Sequence, residues 1–247
     1  SLVTFKDEGS HAMLSALSLR GPDDHGILKF PNCVLGQTRL SIIDLSGGHQ
    51  PMKDDSKNIT ITFNGEIYNY KELKESLAAK GHIFSTNSDT ETILKAYIEY
   101  GETCVDYLDG MFAFALWDED KKELFVARDR FGKKPLYYTW ANEIFITASE
   151  IKALFATGLV KGELNPKALD DYLRLMYIPP WKSIYSNICT LPPAHCGIVK
   201  NGKINVRKYW QLENKPQKIS YEEEKNEVKR LFDDAVRKRM IADVEIG

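Results

Sequence analysis

Residues 111–127 read MFAFALWDEDKKELFVA. A near-continuous apolar run from Met111 to Trp117 meets a charged turn over 118–122 and returns over 124–127, which is the pattern of a β-hairpin. The same device recurs outward from it. Residues 136–140 and 144–148 flank a turn at Ala141-Asn142, and residues 196–200 and 203–209 flank Asn201-Gly202, a pair suited to a type I′ turn. Upstream, residues 58–63 (NITITF) alternate, with Ile59, Ile61 and Phe63 on one face and Thr60 and Thr62 on the other. That is the period of a half-buried strand, and it runs into Asn64-Gly65, a turn dipeptide. Two helices separate these strands. One covers 70–80, carries Tyr70, Leu73 and Leu77 on one face and is closed by Gly81. The other follows Ser88-Asp89-Thr90-Glu91, an S-x-x-E capping box, presents Ile93, Leu94, Tyr97 and Ile98, and stops at Gly101. Antiparallel hairpins with a pair of helices packed on them predict an α+β fold in layers, not a doubly wound parallel sheet.

The last third changes character. Asn165-Pro166 places an N-cap before a Pro at the first helical position and predicts a helix to about Met176, broken by Tyr177-Ile178-Pro179-Pro180. Residues 214–219 are polar, contain Pro216 and read as a linker. A second capping box, Ser220 to Glu223, opens a helix whose stripe of Val228, Leu231, Phe232, Ala235 and Val236 needs a partner surface. Residues 243–247 read as the start of a strand. The predicted division is one domain over 1–213, followed by a linker and the start of a second domain over 214–247.

Composition narrows the function. The 247 residues carry 33 Lys and Arg against 35 Asp and Glu, a net charge of −2, with 43% hydrophobic and 28% charged residues. Fibrous repeats and long disorder are excluded by such values. A near-neutral chain lacks the basic field that nucleic-acid binding requires. No apolar run approaches the ~18–20 residues that span a bilayer, and no secretory leader opens the sequence. The cysteines at 33, 104, 189 and 196 form no C-x-x-C pair, so neither a zinc site nor a disulfide framework is expected. Free thiols in the cytoplasm, no metal and no membrane partner are the expectation.

Four polar segments stand where structure alone does not ask for them. They are Arg20-Gly21-Pro22-Asp23-Asp24 with Gly26, the run from Arg39 to Asp44, the run from Asn64 to Asn69, and Ser88-Asp89-Thr90-Glu91. Singly, each is explained as a turn, an edge cation or a helix cap. Together they suit a free α-amino acid. Arg39 can grip a carboxylate with two parallel N–H bonds. Glu66 and Asp89 can accept from an ammonium. An amide carbonyl turning tetrahedral needs donors for its oxyanion, which the Asn64 side chain and the Gly65 backbone N–H can supply. The set fits amide hydrolysis of a glutamine-like substrate.

These segments also carry a resemblance. LRGPDDHG at 19–26, TRLSIIDLSGGHQPM at 38–52, FNGEIYNYKEL at 63–73, NSDTETILKAY at 87–97, LDGMFAFALWD at 108–118 and ARDRFGKKPLYY at 127–138 resemble the glutamine-hydrolysing asparagine synthetases. The N-terminal half of that family is a class II glutamine amidotransferase domain with the N-terminal-nucleophile hydrolase fold. The resemblance implies a four-layer αββα sandwich of antiparallel sheets. AVRKRMIADVEIG at 235–247 resembles the entry into the family's α/β synthetase domain, ahead of an SGG-x-DS loop that binds ATP and is absent from this sequence. It implies a glutamine site lined by Arg39, Leu40, Ser41, Ile42 and Ile43, with Arg39 on the α-carboxylate. Asn64 and Gly65 would form the oxyanion hole, and Glu66 and Asp89 would hold the α-amino group. No cofactor is implied for this chain; ATP and Mg²⁺ belong to the synthetase domain, the implied partner in the same polypeptide, and a homodimer is left open.

The sequence departs from the family in two places. Leu19 stands where a His is common, and the chain opens Ser1-Leu2-Val3-Thr4-Phe5, where the family has an N-terminal Cys nucleophile followed by Gly-Ile. An N-terminal Cys unites a thiolate with an α-amine whose reference pKa of ~7.7–8.0 suits proton transfer. Three readings follow: a natural start that is missing, leaving the present chain inactive; a non-catalytic glutamine-binding or scaffold domain; or Ser1 as the nucleophile. An amidotransferase domain serving another acceptor, as in relatives of β-lactam synthetase, is the remaining alternative.

Overall fold

The computed structural model describes residues 2–4, 8–216 and 218–244. In chain order the elements are β1 (Leu2–Thr4), α1 (Glu8–Ala16), β2 (Asp24–Lys29), β3 (Val34–Arg39), β4 (Met52–Asp54), β5 (Ile59–Ile67), α2 (Tyr70–Ala79), α3 (Asp89–Tyr100) and β6 (Gly110–Asp118). There follow β7 (Glu123–Arg128), β8 (Tyr137–Ala141), β9 (Ile144–Ala148), α4 (Ile151–Ala156), α5 (Pro166–Leu175), β10 (Cys189–Thr190), β11 (His195–Lys200), β12 (Lys203–Lys208) and α6 (Tyr221–Arg239). The strands form two six-stranded sheets, ordered β10-β8-β9-β1-β3-β2 and β12-β11-β7-β6-β5-β4. Every pairing between named strands is antiparallel.

Three cores separate four layers. Along β6, Phe112, Phe114 and Leu116 pack with Leu73, Leu77, Ile93 and Leu94 of α2 and α3. The alternate residues Ala113, Ala115 and Trp117 pack with Leu35, Leu136 and Leu191 between the sheets. Met13, Leu14 and Leu17 meet Ile146, Ala148, Ala153 and Leu154, so α1 and α4 cover the outer face of the other sheet. The order is therefore helix, sheet, sheet, helix. The central strands read as unbroken apolar runs because each faces a core on both sides.

That burial corrects two readings of β5. Thr60 and Thr62, the polar face of an alternating strand, are both fully buried against the second sheet rather than solvated. Asn64-Gly65 does not turn; pairing with β6 runs unbroken from Ile59↔Asp118 to Ile67↔Gly110. Nine residues of ladder outweigh the local turn preference of that dipeptide. The hairpin turn after β8 falls at Asn142-Glu143, one residue later than its sequence suggests, with both residues at positive φ (49° and 65°). Asn201-Gly202 turns as expected (φ 50° and 72°). The first capping box is half formed. Ser88 accepts from the Thr90 N–H, but Glu91 turns away to accept from the Ser85 and Thr86 N–H groups. The second, Ser220 with Glu223, forms completely. Val228, Leu231, Phe232 and Val236 of α6 are exposed. All four cysteines are free.

Candidate functional site

A cavity of about 200 Å³ opens where the ends of β3 and β5, one from each sheet, meet the N-terminus of α3. Arg39, Leu40, Ile42, Ile43, Asn64, Gly65, Glu66 and Asp89 all line it. Segments separated by more than twenty residues of sequence thus converge on one space. Ser41 is not among the lining residues; its N–H donates to Asp23 Oδ2 at 2.8 Å. Ser1 lies outside the described residues.

The free edge of β5 supplies donors. Its outer partner β4 pairs only with residues 59–61. Beyond that point the Phe63 N–H donates to Gln50 Oε1 at 2.7 Å, and Gln37 Nε2 donates to the Phe63 carbonyl at 3.0 Å. The Ile67 N–H donates to Asp89 Oδ2 at 3.0 Å. Alternate residues of an antiparallel strand point the same way, so the Gly65 N–H lies on this edge between those two and faces the cavity. A Cβ on residue 65 would stand 2.1 Å from the Met111 carbonyl oxygen, so only glycine lets the strand pass. Beside it, Asn64 Nδ2 is buried with no hydrogen-bond partner among the described residues. An amide donor without an acceptor is costly in a folded interior and suits a ligand oxygen.

Charge surrounds these donors. Arg39 is buried, and its Nη2 donates to the carbonyls of Ile43 (2.9 Å) and Asp44 (2.8 Å), while Nη1 donates to that of Leu45 (3.3 Å). The guanidinium therefore staples its own loop, and a carboxylate would draw on its remaining N–H groups rather than on the Nη1/Nη2 fork. Gly48 makes room for it, since a Cβ there would meet Arg39 Nη2 at 2.2 Å. Burial raises the Asp89 carboxyl to about 7; the Ile67 N–H opposes the rise and the nearby Glu66 charge adds to it. Burial also raises Glu66, with the charge of Lys134 pulling it back, and burial lowers Lys134. Two acids held reluctantly ionised are poised for a cation.

Sequence reasoning passed over Gln37, Gln50 and Lys134, which also line the cavity, as does Arg20 of the RGPDD segment, which it singled out without a role. Lys134 is set by a turn folded around Asp129, whose carboxylate accepts from the N–H groups of Phe131, Lys133 and Lys134. The RGPDD segment gains a role: Gly21 lies so close to β3 that a Cβ would be 2.3 Å from Arg39 N, and the Asp23 N–H donates to the Arg39 carbonyl at 3.0 Å. β1 also reaches the site, since Leu2 pairs with Gln37. Among the described residues no cluster of His, Cys, Asp or Glu could hold a metal ion, and no helix is long and apolar enough to cross a membrane.

Residues 3–210 match the family of the glutamine amidotransferase domain. The chain is 39% identical over 237 residues to asparagine synthetase [glutamine-hydrolyzing] 3 of Bacillus subtilis, covering 95% of this chain and 39% of that protein. It is 40% identical to a putative asparagine synthetase [glutamine-hydrolyzing] 2 of Methanocaldococcus jannaschii, covering 97% of this chain and 50% of that one. An amidase, chyE, of Penicillium rubens is 34% identical over 98% of this chain and 36% of its own length. The chain thus spans half or less of these curated relatives. Glutamine PRPP amidotransferase of B. subtilis superimposes with a TM-score of 0.64 at 18% identity, over 86% of this chain and 50% of that one, a likeness of fold.

Proposed function

The chain belongs to the glutamine amidotransferase domain family, and from that premise we propose that its cavity binds glutamine and hydrolyses the side-chain amide to release ammonia. The observation that carries this reading is the unpartnered Asn64 Nδ2 beside the edge-facing Gly65 N–H, in a cavity that also holds Arg39, Glu66 and Asp89. Asp89 and Glu66 accept from the α-ammonium, and the free N–H groups of Arg39 donate to the α-carboxylate. Asn64 and Gly65 donate to the amide oxygen and bind it more strongly as it becomes an oxyanion. The reading also needs a nucleophile, which the family carries at the start of its first strand; in support, Leu2 of β1 pairs with the cavity residue Gln37. A cysteine there would form a C–S bond to the amide carbon. The C–N bond breaks, ammonia leaves with a proton, and water cleaves the thioester to glutamate.

The ammonia is proposed to serve asparagine synthesis, the activity that the relatives' names give; the sequence resemblance implies that this is ATP- and Mg²⁺-dependent amidation of aspartate in a synthetase domain of the same polypeptide. Residues 1–213 would be the glutaminase domain and 214–247 the passage to that second domain.

Calorimetry with L-glutamine tests the site. Binding favours ionised Asp89, which titrates near 7 in the free protein. Affinity is expected to fall as pH drops below about 7, with proton release on binding near neutrality. In a chain carrying Ser1→Cys, glutamate formation is expected, and Asn64→Ala should lower kcat by about 10²–10³ while KM changes little. A folded parent chain with no glutamine affinity at pH 8 would overturn the reading.

A further inference from the structure

We propose that Asp243 is a positioning residue for the glutamine site, held in the chain that leaves α6; this rests on the glutamine reading above. The α6 helix ends at Arg239, and the following segment returns to the body of the sandwich. Lys238 Nζ lies 3.3 Å from Asp109 Oδ2, the Arg239 guanidinium sits 5.0 Å from the centre of the Tyr68 ring, and Ile241 packs on the core beneath α2 and α3. Asp243 then makes two bonds to the loop that walls the cavity. Its N–H donates to the Ile42 carbonyl at 2.9 Å, and its Oδ2 accepts from the Asp44 N–H at 2.7 Å.

Those bonds bracket the stretch that Arg39 uses. The carbonyls of Ile43 and Asp44 are the two that Arg39 Nη2 holds. Asp44 has a left-handed backbone (φ 47°), and its own carboxylate is committed, Oδ1 to the Gly47 N–H and Oδ2 to the Asn87 N–H. Its backbone N–H finds its acceptor 199 residues downstream. Arg39 holds the loop from the cavity side and Asp243 holds it from the outside. Releasing Asp243 lets residues 42–44 drift and takes the guanidinium out of register with a bound carboxylate. Asp243 touches neither ligand nor reacting atoms; it acts through the loop.

The test compares Asp243→Ala and Asp243→Asn in the 247-residue chain. Asn keeps a side-chain acceptor for the Asp44 N–H, and both keep the backbone bond to Ile42. Glutamine affinity should fall by about fivefold to tenfold in Asp243→Ala, the effect of one lost hydrogen bond. Asp243→Asn should restore it to within about twofold, with equal melting temperatures for all three proteins. Affinity unchanged in Asp243→Ala, or lost equally in both variants, overturns the proposal. Proton exchange at the Asp44 amide and the Arg39 guanidinium, followed by NMR without ligand, gives a second reading. Faster exchange in Asp243→Ala and protection in Asp243→Asn are expected. Unchanged exchange sinks the positioning role alone, whereas a parent chain that binds no glutamine sinks the site reading alone.

Discussion

Arg39 and Arg128 close β3 and β7, one in each sheet, and both are buried. Each folds the following loop around itself through backbone carbonyls. Arg39 holds those of residues 43, 44 and 45, and Arg128 holds those of Gly132 and Lys134. Each is followed by an aspartate that gathers N–H groups: Asp44 takes those of Gly47 and Asn87, Asp129 those of Phe131, Lys133 and Lys134. The difference lies in what comes next. Arg128 also donates to Pro180, Thr190 and Leu191, so a later segment of the chain seals it. Among the described residues Arg39 donates to no later segment, and it faces a cavity. The same knot is scaffold where packing completes it and a site where packing stops short.

The comparison yields graded expectations. Arg128→Ala strands several buried carbonyls at once and should cost about 3–5 kcal/mol in urea unfolding. Arg39→Ala should cost about 1–3 kcal/mol by the same measurement, because its loop carbonyls can reach water, yet weaken glutamine binding by about 30-fold or more. Equal destabilisation by the two would break the parallel. The smallest effect concerns Asp89. Its folded pKa of about 7 lies above the ordinary 3.8. Relative to the unfolded chain, its contribution to stability is therefore fully present below pH 3.8 and lost as pH rises through about 7. Asp89→Asn should raise stability by on the order of 1–2 kcal/mol at pH 8, with no gain at pH 4, while weakening glutamine binding. A variant less stable than the parent at pH 8 would mean that the ionised carboxylate is better solvated than its burial implies.

Sequence carried the hairpins at 111–127 and 196–209 because their signals are local: apolar runs, charged turns and an Asn-Gly pair. It brought Arg39, Asn64, Glu66 and Asp89 together as a set because their chemistries complement one zwitterion. It misread Asn64-Gly65 as a turn because pairing with β6, which overrides that preference, comes from residues 110–118. It assigned Thr60 and Thr62 to solvent because nothing local announces a second sheet. The contributions of Gln37 and Gln50 were illegible for the same reason. They satisfy the Phe63 backbone only because β4 ends too early to do so. Glu91 fits a capping motif in sequence, but the loop at 85–86 offers it three N–H and O–H donors.

β1 lies between β3 and β9, and its first residue, Leu2, is opposite Gln37. The Leu2 end of β1 is thus the end beside the cavity, and a bulky purification handle joined there is expected to slow ligand entry even if folding is untouched. Fusions placed in the exposed Asn201-Gly202 tip, on a hairpin at the far edge of the other sheet, would leave that doorway clear.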